Sequence, residues 1–71
     1  MNLSKFSDFG LAVKTKLLQI GKTQEWLIGE LKTKTGMFVD SGYLSKIFAG
    51  KRNPPKIVEA IREILDLEGK E

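Results

Sequence analysis

Apolar residues recur along this chain at the three- and four-residue spacing of amphipathic helices, in four separate blocks. The first block predicts a helix over residues 7–20, capped by Ser7 and stopped by a left-handed Gly21. Its predicted buried stripe consists of Phe9, Val13, Leu17 and Ile20. No stretch alternates with period two for long enough to indicate a strand. We therefore expect an all-α fold, a compact bundle of four to five short helices.

The second block predicts a helix that begins after an N-cap at Thr23 and ends near residues 32–34. Its inner stripe consists of Leu27, Ile28 and Leu31. Gly29 lies in the interior of this helix, where glycine costs about 1 kcal/mol relative to alanine. A second backbone passing close by is one explanation for a glycine at this position.

A polar, glycine-bearing connection over residues 32–39 follows the second helix. Its first part, residues 32–35, is expected to be loop surface, although it also has the charge to reach a flanking phosphate. Met37 and Phe38 are expected to close the core.

The third and fourth blocks predict two further helices. Asp40 is the expected cap of the third helix, and Val39 before it can form a hydrophobic staple with Leu44. Leu44, Ile47 and Phe48 are its expected inner residues, and Gly50 ends it. Asn53 and Pro54 are expected to open the fourth helix as cap and first residue. That helix is expected to run to about Leu67, and Gly69 is expected to separate it from the C-terminal tail. Its apolar face consists of Ile57, Val58, Ile61, Ile64 and Leu65.

Composition narrows the classes of function. Seventy-one residues predict one domain over residues 1–71, with a core of about residues 7–67. The chain has no cysteine and no histidine, which removes disulfides, the commonest metal ligands and the usual general base. We therefore expect no metal, no cofactor, no small-molecule ligand and no enzymatic activity. No apolar run approaches the roughly 20 residues of a membrane span, and residues 1–5 precede no signal-peptide core, so we expect a cytoplasmic protein.

The net charge of +3 is distributed unevenly along the chain. Residues 1–58 carry ten Lys or Arg and four Asp or Glu, whereas residues 59–71 carry two and five. This asymmetry favours one face that binds a polyanion and another that turns away from it. An ordinary solvated surface explains this charge distribution equally well.

The exposed front of the third helix is the candidate base-reading surface. It consists of Ser41, Gly42, Tyr43, Ser45 and Lys46. Small residues let a helix enter a groove about 12 Å wide, serine bonds to several base edges, and lysine reaches guanine O6 and N7. Tyr43 either contacts a thymine methyl, a sugar or a phosphate, or packs against the second helix or the connection. Lys46 either reads a base or contacts a phosphate alone.

Two other segments are candidates for phosphate contacts. Thr23 and Gln24 begin the second helix, where free N–H groups and a partial positive charge suit a phosphate, although a capped, solvated first turn is the alternative. Gln24 is also able to steady a side chain of the third helix. Lys51, Arg52 and Asn53 lie between the third and fourth helices. They form either a phosphate clamp or a charge complement to the dipole of the third helix.

These segments resemble the lambda-repressor-like (Cro/repressor, XRE-type) helix-turn-helix family over residues 8–67. The resemblance rests on three segments, which are Thr23-Gln24-Glu25 with Leu27, Tyr43-Leu44-Ser45-Lys46-Ile47, and Gly50-Lys51-Arg52-Asn53-Pro54. The resemblance implies a bundle of four or five helices that binds operator DNA, often as a two-fold dimer. It implies base contacts from the start of the third helix and phosphate contacts from Gln24 and residues 51–53. The connection at residues 32–39 is longer than the family's tight turn.

The function expected from this resemblance is sequence-specific binding of double-stranded DNA by a transcriptional regulator. A small phage- or mobile-element-type repressor would act by occupying its operator. Because one mismatch is worth only about 1–3 kcal/mol, we expect a homodimer on a palindrome. The flank of the fourth helix and Trp26 are its candidate contacts.

The alternative is a protein-interaction module of the same fold, an antirepressor or adaptor that does not read DNA. Trp26, Met37 and Phe38 would be its anchors, because aromatic and methionine side chains are enriched at interfaces. RNA binding is less expected, because the sequence offers no aromatic platform for unstacked bases.

Overall fold

The chain forms four helices in a computed structural model that describes residues 6–67. They are α1 (Asp8–Ile20), α2 (Gln24–Thr35), α3 (Ser41–Phe48) and α4 (Pro55–Leu65). No strand occurs within residues 6–67, so the predicted all-α bundle of four to five short helices is confirmed, with four. Gly69, which is expected to separate the fourth helix from the C-terminal tail, lies outside the described residues.

Side-chain caps begin the first three helices at the residues that the sequence predicts. Each cap accepts a hydrogen bond from the amide three residues later, at 3.0 Å for Ser7, 3.0 Å for Thr23 and 2.7 Å for Asp40. Each bond satisfies an amide that has no acceptor within its own helix. Gly21 ends α1 in the left-handed conformation with φ 71°, as predicted. Local sequence chemistry therefore determines these boundaries.

The core takes one face from every helix. α2 packs most extensively against α4, and α1 packs against both α3 and α4. The buried apolar side chains are Val13, Leu17, Leu27, Leu31, Val39, Leu44, Ile47, Phe48, Ile57, Ala60, Ile61 and Leu65. None of the described residues places a polar or charged side chain in this core. In the same part of the chain, no helix combines the length and apolar character needed to cross a membrane.

A close backbone approach occurs at Gly10 and not at Gly29, where it was one explanation for the glycine. The amide and hydroxyl of Ser7 both donate to the Phe48 carbonyl, at 2.9 and 3.0 Å, and this draws the start of α1 onto the end of α3. A Cβ added at Gly10 would overlap the Phe48 backbone, whereas one added at Gly29 would meet no atom within 4 Å. A close approach therefore does not explain Gly29, which lies on an open face of α2.

α2 is longer than predicted. It continues to Thr35 and ends at Gly36, whose φ is 74°, so residues 32–35 are helical and not loop surface. The Thr35 hydroxyl donates to the Leu31 carbonyl at 2.7 Å, and Lys34 Nζ lies 3.0 Å from Glu63 Oε1 on α4. These contacts support the last turn of α2. The connection to α3 is therefore residues 36–40, shorter than the predicted connection at residues 32–39.

α4 begins one residue later and ends two residues earlier than predicted. Pro54 is the residue before the helix and Pro55 is its first residue, so Asn53 is not the cap. A residue that precedes proline is driven out of the helical region, which excludes both Asn53 and Pro54 from α4. The helix ends at Leu65 because Asp66 adopts a left-handed conformation with φ 56°.

Three apolar side chains expected inside the core lie outside it. Ile20 is 40% exposed, Met37 43% and Phe38 70%. On α1 the buried positions are 10, 13 and 17, so the covered stripe ends one turn before Ile20. In the short connection only Val39 reaches the core, where it is 3% exposed.

Candidate nucleic-acid interface

α3 has one buried and one exposed face, as the sequence predicts. The exposed residues are Ser41, Gly42, Ser45 and Lys46, and the buried residues are Leu44, Ile47 and Phe48. A Cβ added at Gly42 would meet only Asp40 Oδ1, at 3.5 Å, in an ordinary contact. Apart from Lys46, the front of α3 is therefore made of small side chains that project little from the helix.

Tyr43 lies at the boundary between these two faces. It is half-buried and packs against the core. Part of its side chain is therefore used for packing, which was one of the two roles that the sequence left open. The rest of Tyr43 is accessible beside the exposed front.

Gln24, the first residue of α2, is held by a lysine of α1. Lys14 Nζ donates to Gln24 Oε1 at 2.8 Å. The same ammonium lies 5.4 Å from the ring centre of Phe6 and 5.9 Å from that of Phe48. Lys14 engages only the side-chain oxygen of Gln24, so the side-chain N–H groups of Gln24 remain available as donors. Thr23 completes this end of α2, and its hydroxyl is used to cap the helix.

Lys14 is a member of this site that the sequence reasoning missed. A signal was available, because Lys14 lies four residues after Gly10 and three before Leu17, on the inner side of α1. A lysine at such a position is expected to bury its stem and direct its ammonium to a specific partner. The structure supplies that partner as Gln24.

The loop after α3 presents side chains, not backbone amides, to its surroundings. The amides of Lys51 and Arg52 both donate to the Lys46 carbonyl, at 2.9 and 3.3 Å, and so close the end of α3. The side chains of Lys51, Arg52 and Asn53 are exposed. Immediately afterwards, α4 begins with no side-chain cap. Its first residue, Pro55, has no N–H, so the first-turn amides that lack an intrahelical acceptor are those of Lys56 and Ile57. Two cations and an uncapped helix start thus lie together.

A groove of about 490 Å³ lies between one face of α2 and the start of α3. Its lining residues are Glu25, Ile28, Gly29, Lys32, Phe38, Asp40 and Ser41. The groove therefore follows α2 from Glu25 to Lys32 and reaches the cap and first residue of α3. Phe38 projects at the same place, although the sequence reasoning assigned it to the core.

The predicted site residues lie on the front of α3, at the start of α2 and in the loop after α3. α3 has eight residues, which corresponds to a length of about 12 Å. Glu25 of α2 lines the same groove as Ser41, and residues 51–53 follow the end of α3. Lys14, which holds Gln24, lies 5.9 Å from the ring centre of Phe48, the last residue of α3.

Within residues 6–67, no three acidic, cysteine or histidine side chains lie close enough together to hold a metal ion. Comparisons with protein-family models, curated proteins and solved structures found no match to this chain.

Proposed function

We propose that the chain is a sequence-specific double-stranded DNA-binding protein, a small cytoplasmic transcriptional regulator of the phage or mobile-element type that represses by occupying its operator. One observation carries the proposal. α3 buries its apolar face completely and leaves a continuous front of small and basic residues exposed. In this proposal α2 and α3 act as a helix-turn-helix, with α3 as the recognition helix in the major groove.

The base contacts come from the front of α3. Small side chains at Ser41, Gly42 and Ser45 let the helix approach base edges in a groove about 12 Å wide. The serine hydroxyls donate to or accept from several base edges. Lys46 carries an exposed ammonium that reaches guanine O6 and N7 or an adjacent phosphate. Tyr43 contributes the part of its side chain that the core leaves accessible.

Phosphate contacts come from the start of α2 and from the loop after α3. Thr23 and Gln24 present the positive end of α2, and Lys14 adds a full charge 2.8 Å from the Gln24 oxygen. After the end of α3, residues 51–53 add two more cations. These two groups are the proposed anchors on the phosphates beside the groove that α3 enters.

A homodimer on a palindromic operator is part of the proposal. The molecule measures 33 × 23 × 23 Å, so two copies fit side by side on half-sites about 34 Å apart. The side chains expected to form the dimer contact are less exposed than the sequence indicates. Ile57, Ile61 and Leu65 of α4 are buried within the chain itself, and Trp26 is half-buried with Lys22 Nζ 5.5 Å from its ring centre. Leu18 on α1 is 83% exposed and offers an apolar contact instead.

Selection from a random duplex pool tests the proposal and defines the operator. We expect one enriched motif with two-fold symmetry. Affinity for that motif, measured by fluorescence anisotropy, should fall log-linearly and steeply with salt, as about six phosphate contacts require. A scrambled duplex of the same length is the control. Failure to enrich any sequence, together with no binding to duplex in dilute buffer, would contradict the proposal.

A protein-interaction module is the second candidate, and the exposure of Met37 and Phe38 favours it. An antirepressor or adaptor would use these side chains as anchors for a partner protein. Binding through an apolar surface responds weakly to salt, whereas binding to phosphates responds strongly. The salt titration therefore separates the two candidates.

A further inference from the structure

Phe38 has an unusual position for a large aromatic side chain. It is 70% exposed, while the next residue, Val39, is 3% exposed and belongs to the core. Phe38 therefore does not stabilise the core to any large extent. An exposed aromatic ring has a favourable free energy of transfer to any apolar partner that it meets.

The location of Phe38 indicates what it meets. The ring lines the groove between α2 and α3 together with Asp40 and Ser41, the cap and first residue of α3. The Phe38 ring thus lies at the N-terminal end of α3, the helix that carries the proposed base contacts. Gly29 also lines this groove and contributes no side chain to it. A Cβ added at Gly29 would meet no atom within 4 Å, so the groove beside Phe38 is open.

The neighbouring Met37 lines a different groove. That groove lies between the end of α2 and α4, with Lys34, Pro55 and Glu63 among its lining residues. The two exposed apolar residues of the connection therefore line two separate grooves. This separation favours a role for Phe38 at the front of α3.

The major groove offers one apolar group on its base edges, the 5-methyl group of thymine, and phenylalanine is among the side chains that contact it. We propose that Phe38 is a specificity-determining residue that packs against a thymine 5-methyl group beside the base contacted by Ser41. This inference rests on the proposed function. It adds a second aromatic side chain, besides the half-buried Tyr43, to a site otherwise made of serine hydroxyls and one ammonium.

Replacement of thymine by deoxyuridine tests this contact, because it removes the methyl group and leaves the Watson–Crick pairing intact. Each thymine of the selected operator is replaced in turn, and the affinities of wild type, Phe38→Ala and Met37→Ala are measured by anisotropy. We expect one position in each half-site at which deoxyuridine weakens wild type about fourfold, the value for burial of one methyl-sized group. Met37→Ala should keep this discrimination, and Phe38→Ala should lose it.

Wild type that binds every deoxyuridine duplex as tightly as the thymine duplex would overturn the inference. Discrimination that persists in Phe38→Ala, or a selected operator without thymine, would also overturn it. In each of these cases the selected duplex still binds, so the proposed function stands. Absence of binding to any duplex by wild type would instead remove the proposed function and this inference together. Since Phe38 is mostly exposed, the variant should melt at the wild-type temperature, which circular dichroism checks.

Discussion

Gly10→Ala is predicted to destabilise the protein by separating α1 from α3. The new Cβ would overlap the Phe48 backbone, which has no rotamer by which to move aside. The helices must therefore move apart. That movement also stretches the two hydrogen bonds, of 2.9 and 3.0 Å, that the Phe48 carbonyl accepts from Ser7.

The expected cost follows from these two effects. Overpacking a well-packed contact costs about 1–3 kcal/mol, and each weakened hydrogen bond adds about 0.5–1.5 kcal/mol. We therefore expect a loss of about 2–6 kcal/mol, out of about 4–11 kcal/mol for a domain of this length. The melting temperature should fall by at least about 8 °C, since 1 kcal/mol corresponds to about 4–8 °C in small domains.

Gly29→Ala is the matched control, because it makes the same chemical change inside another helix. A Cβ at Gly29 would meet no atom within 4 Å. The variant should gain about 1 kcal/mol from the higher helix propensity of alanine. Thermal and urea denaturation of both variants, followed by circular dichroism, measures the two effects.

Opposite signs for the two variants are the essential result. A Gly10→Ala variant that melts at or above the wild-type temperature would refute the close approach of α1 and α3. A Gly29→Ala variant that loses as much stability as Gly10→Ala would show that α2 also carries a tight contact, which contradicts the open space found at Gly29.

Three further predictions concern the interface and its support. Ser41→Ala and Lys46→Ala should reduce preference for the selected operator more than binding to random duplex, and equal loss on both duplexes in competition assays would restrict these residues to backbone contacts. Arg52→Ala should weaken binding to all duplexes alike and lower the salt slope by about one, so an unchanged slope would remove Arg52 from the phosphate contacts. Ser7→Ala should cost about 1–2 kcal/mol in urea denaturation because it removes a helix cap and a bond to α3, whereas exposed Ser41→Ala should leave stability unchanged.

The helix starts and the inner faces could be predicted because they depend on neighbouring residues. Ser7, Thr23 and Asp40 each act on an amide three residues away, so the chain carries the signal locally. The exposed front of α3 followed from the same periodicity, since Leu44, Ile47 and Phe48 point inward. The candidate base contacts were identified in this way.

The features that were missed depend on tertiary packing. The close approach at Gly10 exists because Ser7 and Phe48, 41 residues apart, are hydrogen-bonded. Lys14 and Gln24 meet only when α1 and α2 are folded together, so neither residue alone indicates the pair. The extension of α2 to Thr35 is supported by the ion pair with Glu63 on α4. A pattern of apolar positions does not contain these contacts.

Amide chemical-shift mapping on the selected duplex tests whether α3 binds the DNA. We expect the largest changes in the two-dimensional NMR spectrum at residues 41–46, with further changes at residues 23–26 and 50–53. The outer face of α4, which carries Glu59 and Glu63, should remain unchanged. Changes confined to α4, or a spectrum unaffected by a saturating amount of duplex, would contradict the assignment of α3 to the DNA.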